Sequence, residues 1–234
     1  MAEETSKIAL FTGCSLEGTS IAYITSMESV FNRLGLLLGE LKDWNCCGAT
    51  SAHSLDNEFH LMLNLRNLYL AQEQDYAGIL APCAACYHRL ASANSELHGN
   101  QDILDELNKK SGLNYKADLK IWNILEFLHN TEKKELIKSL VTAPLSGLKA
   151  ACYYGCLNTR LPRIKPFDNI EYPKTMDKII QALGAETVEW AYKTECCGAS
   201  LFITNESVCK KLVAKILRDA AARHADCIVV ACPM

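Results

Sequence analysis

Cysteine recurs in one arrangement twice along this chain of 234 residues, and a repeat of that kind dictates a duplicated fold. The first set is Cys14, then Cys46-Cys47-Gly48, then Cys83-Ala84-Ala85-Cys86. The second is Cys156, then Cys196-Cys197-Gly198, then Cys232-Pro233-Met234, where the sequence stops. Corresponding cysteines are displaced by 142 (14 to 156), 150 (46 to 196) and 149 (83 to 232) residues, offsets that fit small loop insertions in a preserved core. A complete set holds five thiols, one more than a tetrahedral metal ion or a cubane iron–sulfur cluster uses.

The residues between the cysteines follow one plan in both copies. A β-like run ends in Gly-Cys: Lys7 to Thr12 before Gly13-Cys14, and Lys149 to Tyr154 before Gly155-Cys156. An amphipathic helix follows, Ile21–Leu34 or Met176–Leu183, and a short extended segment leads to Cys-Cys-Gly-Ala. A longer helix comes next, near Glu58–Gln72 or Glu206–His224, and an apolar strand, Ala77–Ala81 or Cys227–Ala231, runs into the last motif. Strands alternating with helices predict two α/β units with mainly parallel strands. The expected organisation is a first repeat over 1–97, a helical connector over 98–145 and a second, C-terminally incomplete repeat over 146–234. The connector's helix candidates are Gln101–Lys110, Asn123–His129 and Glu132–Leu140. In such units the cysteines fall just beyond strand C-termini, the edge where ligands collect.

Composition narrows the chemistry. A net charge of −3 without a basic stretch excludes the electrostatic footprint of a nucleic-acid binder. No apolar run is long enough for a membrane span, and the N-terminus has no secretory pattern, so a cytoplasmic location is expected. In a reducing compartment twelve cysteines point to metal or redox chemistry rather than to a disulfide framework. Three readings of the residues remain: an iron–sulfur centre, structural zinc, and a dithiol or disulfide. Five thiolates overfill one zinc ion, and a redox Cys-x-x-Cys explains only two of the five. Adjacent cysteines point apart, which suits two metals of one multinuclear cluster.

Gly-Cys…Cys-Cys-Gly…Cys-x-x-Cys, present twice, resembles the cysteine-rich CCG domain. The flanking text, Asp43-Trp44-Asn45-Cys46-Cys47-Gly48-Ala49 and Ala81-Pro82-Cys83-Ala84-Ala85-Cys86-Tyr87, is similar to the B subunit of heterodisulfide reductase and its bacterial relatives. Spacings of 31 and 35 residues in the first copy and 39 and 34 in the second are compatible with that family. The resemblance implies two pseudo-symmetric CCG-type α/β repeats, each holding a non-cubane 4Fe-4S cluster. It implies Cys14, Cys46, Cys47, Cys83 and Cys86 as ligands of the first cluster and Cys156, Cys196, Cys197 and Cys232 as ligands of the second. A fifth ligand of the second set is expected just after Met234. The implied activity is reductive cleavage, or formation, of a disulfide between the two clusters, with no catalytic side chain beyond the cluster ligands. The implied partners are a ferredoxin-like C subunit, which supplies electrons, together with a flavin-containing A subunit, since the chain has no Gly-x-Gly-x-x-Gly of its own. An electron-relay subunit without a disulfide substrate is the alternative, and a zinc-stabilised scaffold the third.

Other residues have weaker claims. Cys152, Cys209 and Cys227 read as small buried hydrophobes. His53 and His88 follow the cysteine motifs and are candidate hydrogen-bond donors beside a cluster or substrate. Trp44 and Trp190 read as core or cluster cover, and Arg160–Lys165 as a solvated basic loop. Gly13, Gly48, Gly155 and Gly198 give the backbone room next to the thiols.

Overall fold

The computed structural model describes residues 8–49, 52–129, 131–160, 164 and 166–234. The chain divides into two units whose main boundary lies between Ile124 and Leu125, and each unit has its own sheet.

In the first unit, β1 (Ile8–Leu10) leads into a short helix α1 (Gly13–Glu17) and then α2 (Ile21–Arg33). Next come β2 (Leu38–Glu40), α3 (Ala52–Leu55), α4 (Asn57–Glu73), β3 (Gly78–Ala81), α5 (Ala84–His98), α6 (Gln101–Ser111) and β4 (Lys120–Asn123). All strand pairs are parallel, in the order β2-β1-β3-β4. Ile8 and Leu10 of β1 face Leu38 and Glu40 on one side and Gly78 and Leu80 on the other. Every residue of β3 is buried, which explains its unbroken apolar text: an inner strand of a parallel sheet is covered on both faces. Leu65 and Leu68 of α4, Leu90 and Leu97 of α5, and Phe11 complete this core, all at most 1% exposed.

The second unit begins one residue into α7 (Ile124–His129) and holds α8 (Thr131–Ser139), β5 (Lys149–Tyr153), α9 (Thr175–Ala182), β6 (Glu186–Thr187), a 3-10 turn (Ala199–Leu201), α10 (Glu206–Ala222) and β7 (Cys227–Val230). Its strands are again parallel, in the order β6-β5-β7. That order repeats β2-β1-β3 element for element. Ala151, Trp190, Ile216 and Ala220 form its buried centre, and the Trp190 indole N–H donates to Cys152 O at 3.1 Å. The α/β class and the pseudo-symmetric repeats are therefore as expected.

Local signals explain the helix starts. Asp56 caps α4 by accepting from Phe59 N at 3.1 Å, and Asn205 caps α10 by accepting from Val208 N at 3.4 Å. These caps occupy the same place in the two repeats, 149 residues apart (56 to 205). All three connector helices occur, as α6, α7 and α8, but the segment also supplies a strand. Lys120–Asn123 is only four residues long, too short for a period-2 pattern to declare itself, and pairing with β3 creates it. Among the described residues no helix is long and apolar enough to cross a membrane. Lys7, read as a strand start, and Leu161, Pro162, Arg163 and Lys165 of the basic loop lie outside the described residues. Arg160 lies 3.8 Å from Glu171.

The burial pattern predicts the cost of truncation. Ile79→Ala, at a fully buried position of β3, is expected to lower unfolding free energy by about 2–5 kcal/mol. Ile203→Ala, 94% exposed, should stay within about 0.5 kcal/mol of the parent in the same urea titration.

Candidate functional site

Parallel strands put all their C-termini on one edge of a sheet, and the cysteines follow those C-termini. Cys14 sits in α1 after β1, Cys46 and Cys47 in the loop after β2, and Cys83 and Cys86 at the start of α5 after β3. Because β2, β1 and β3 are neighbours, five thiols separated by up to 72 residues of chain (14 to 86) meet at one edge. Cys156 after β5, Cys196 and Cys197 in the loop beyond β6, and Cys232 after β7 take the matching positions in the second unit.

The first set is half sheltered. Cys47, Cys83 and Cys86 are at most 4% exposed, while Cys14 and Cys46 are open to solvent. Cys47 and Cys86 share a hydrogen bond with 3.4 Å between their sulfurs. The hydrogen bond with Cys46, then that with Cys86, lower the Cys47 pKa to about 4 against the cost of burial. Those same bonds push Cys46 and Cys86 upward. Cys83 and Cys86 lie at the N-terminal end of the 15-residue α5, whose free amides and dipole favour negative sulfur.

The Cys-Cys-Gly turn is built identically in both units. Gly48 (φ 70°) and Gly198 (φ 76°) occupy the left-handed region, and their amides donate to Cys46 Sγ at 3.5 Å and Cys196 Sγ at 3.3 Å. A Cβ on either would stand 2.7 Å from Ala52 Cβ or 2.9 Å from Leu212 Cδ1, so glycine is required by conformation and by space. Gly13 (φ 64°) also comes close to a thiol, its virtual Cβ lying 2.9 Å from Cys86 Sγ.

In the second unit burial pushes the Cys156 pKa up, and Cys196 and Cys197 reinforce the shift. Tyr153 stands beside them, its hydroxyl donating to Glu195 O at 2.7 Å and its pKa raised by burial and then by Cys197. Cys232 is half-buried directly after β7.

Several side chains that hold the first Cys-Cys-Gly loop escaped the sequence reading. Asn64 Nδ2 donates to Cys47 O at 3.2 Å, and Asn67 clasps the Asn45 backbone from both sides with 2.9 Å bonds. Arg66 donates to Asp43 O at 2.6 Å and to Asn45 Oδ1 at 3.2 Å. Asn64 and Asn67 are fully buried on the leucine-rich inner side of α4, among Leu61, Leu65 and Leu68, and amides at such positions were the available signal. Of the weaker candidates, Cys152 is buried in β5 with its pKa pushed up to about 12 by burial. Cys209 is buried with Sγ 3.5 Å from Cys197 O, and Cys227 is half-buried. His53 is exposed, with Nε2 3.2 Å from Arg89 Nη2, and His88 is buried. Trp44 packs on Phe11 with ring centroids 5.4 Å apart and donates to Glu17 at 3.2 Å.

Among the described residues no three His, Cys, Asp or Glu side chains are gathered around a point that would hold a single metal ion. The first set is instead an all-thiol group spread along three strand ends, with the Gly48 amide aimed at sulfur and a helix N-terminus beneath Cys83 and Cys86. That donor chemistry fits an iron–sulfur cluster, whose own sulfides and several irons span a wider ligand set.

The model of the CCG cysteine-rich domain matches residues 8–91 and again 150–234. The chain is 33% identical over 229 residues to the 8-methylmenaquinol:fumarate reductase membrane anchor subunit of Wolinella succinogenes, covering 97% of this chain and 80% of that one. It is 31% identical over 233 residues to the B subunit of the ferredoxin/F(420)H(2)-dependent CoB-CoM heterodisulfide reductase of Methanosarcina acetivorans, covering 97% and 77%. A hypothetical protein from Helicobacter pylori shares the fold with a TM-score of 0.72 at 15% identity, over 97% of this chain and 41% of that one. The two matched segments coincide with the two cysteine sets, and the chain belongs to the CCG cysteine-rich domain family, among the relatives of the heterodisulfide reductase B subunit.

Proposed function

We propose that this protein is the iron–sulfur subunit of a heterodisulfide reductase-like complex, in which a disulfide is cleaved reductively or formed in the reverse direction. One observation carries the reading. The strand order β2-β1-β3 recurs as β6-β5-β7, and each time Gly-Cys, Cys-Cys-Gly and the last cysteine motif fall at the same edge. A site duplicated in this way suits two-electron chemistry divided into two one-electron halves. The family resemblance extends the proposal to two 4Fe-4S clusters of non-cubane type.

Cys14, Cys46, Cys47, Cys83 and Cys86 would hold the first cluster, and Cys156, Cys196, Cys197 and Cys232 would serve the second. When bound, iron–sulfur clusters supply one-electron transfer and iron sites with affinity for thiolate sulfur. The chain's own contribution is to bind and to orient. Cysteine binds metal as thiolate, so these thiols would release their protons on metal loading. The Gly48 and Gly198 amides, which donate to Cys46 and Cys196 sulfur, would raise the reduction potential of a cluster held there. The half-reaction, RS–SR′ + 2 e⁻ + 2 H⁺ → RSH + R′SH, needs an electron donor. The proposed partners are a ferredoxin-like C subunit together with a flavin-containing A subunit, in the cytoplasm.

A second reading has an observation of its own. The relative at 33% identity is named for a fumarate reductase complex, and its name mentions no disulfide. An electron-relay subunit uses the same cysteines without a substrate. Adding thiols to the oxidised complex separates the two: a new paramagnetic cluster signal favours disulfide chemistry, and silence with every thiol favours the relay.

Anaerobically purified protein is expected to carry about eight irons and an equal amount of acid-labile sulfide if both sets are filled, or about four of each if one is. Stoichiometric zinc with neither would refute the cluster reading. Cys47→Ser should remove about four irons per chain, whereas Cys152→Ser, at a buried position outside both sets, should keep the full complement. Equal loss from both would show that the assigned set is wrong.

A further inference from the structure

The two Cys-Cys-Gly loops are held by unlike devices, and the second uses a buried ion pair for which the cluster chemistry has no evident need. Lys193, three residues before Cys196, is 1% exposed. Its ammonium donates to Asp177 Oδ1 at 2.7 Å and to Pro173 O at 3.4 Å, and lies 4.8 Å from the Tyr172 ring centroid. Asp177, in the first turn of α9, takes the Tyr154 hydroxyl on Oδ2 at 2.6 Å and donates its amide to that hydroxyl oxygen at 3.1 Å. The ring closes through the backbone: Tyr154 N and Gly155 N both donate to Lys193 O, at 2.8 and 3.1 Å.

Three segments therefore share one closed hydrogen-bonded circuit. They are the loop entering Cys156, the start of α9 and the loop entering Cys196-Cys197. Tyr153 and Asn158 tighten it, through Tyr153 OH to Glu195 O at 2.7 Å and Asn158 Nδ2 to Tyr154 O at 2.9 Å. An isolated buried pair is weak evidence for stability, because desolvation opposes its attraction. What a fully satisfied buried network does provide is a fixed geometry. The position matching Lys193 in the first repeat, 150 residues earlier, is Asp43, whose ion pair with Arg66 is solvent-exposed. The charges are reversed there, and the neighbouring Asn64 and Asn67 grip that loop from α4 instead.

We infer that Lys193, Asp177 and Tyr154 form a positioning network that sets the spacing between Cys156 and the Cys196-Cys197 pair. The inference rests on the cluster reading only for what the cysteines are spaced to hold; the circuit itself belongs to the metal-free chain.

The test is per-cysteine alkylation of the full metal-free chain by iodoacetamide, followed by mass spectrometry, with melting temperature measured in parallel. Lys193→Met leaves Asp177 buried without its cation and should lower the melting temperature by about 10 °C. The double variant Lys193→Met/Asp177→Asn removes both charges while Asn still accepts from Tyr154 OH, so it should melt close to the parent. In that variant alkylation of the half-buried Cys156 and Cys197 should quicken by about fivefold or more, because the local opening is easier. Rates at Cys14 and Cys46 should not move. Parental rates at Cys156 and Cys197 would overturn the inference, as would an equal rise at Cys14 and Cys46, which would make the network a general stabiliser. A parent chain that takes up no iron would instead defeat the cluster reading and leave the alkylation comparison standing.

Discussion

Everything in the two candidate sites depends on the strands being parallel. A parallel sheet returns every chain crossing to the same side, so the residues that leave β1, β2 and β3 leave together. An antiparallel arrangement of the same strands would send the Cys-Cys-Gly loop and the Cys-x-x-Cys helix to opposite edges. Burial enforces the choice: β3 is apolar at every position and needs cover on both faces, which the α/β crossovers supply. The first core and the first thiol group are thus two consequences of one topology. The second sheet repeats it with three strands instead of four.

Topology brings the cysteines near one another, and local chemistry sets their directions. The left-handed glycine after each cysteine pair turns an amide toward sulfur at 3.5 and 3.3 Å. Helix α5 begins on Cys83 and Cys86, so two thiols gain its N-terminal field. Beyond those shared features the units diverge. Amides from the helix after the loop secure the first cysteine pair, whereas an ion pair reaching the helix before the loop secures the second. Equal frames with unequal supports suit two sites that resemble each other in ligand type and differ in environment.

The fold was largely legible from the text because its signals are local. Asp56 and Asn205 announce helix starts, the apolar runs before Cys83 and Cys232 announce strands, and two copies confirm each other. Strand β4 was not legible, since Lys120–Asn123 acquires its identity only by lying against β3. At the sites, the cysteines stand out by spacing alone. Asn64, Asn67, Tyr153 and Lys193 do not, because their partners are 16 to 42 residues away and nothing in the nearby sequence names them. Lys193 illustrates the difficulty most clearly: a lysine in a polar stretch reads as surface, and only Asp177 and Tyr154 explain its burial.

The central claim is that these thiols gather around multinuclear iron–sulfur centres. X-ray absorption at the iron edge of the anaerobic, full-length protein tests it most directly. Multinuclear centres require iron surrounded by sulfur at the shortest distance, with further scattering from neighbouring irons. A sulfur shell without any iron–iron scattering would mean isolated metal ions, and would contradict it.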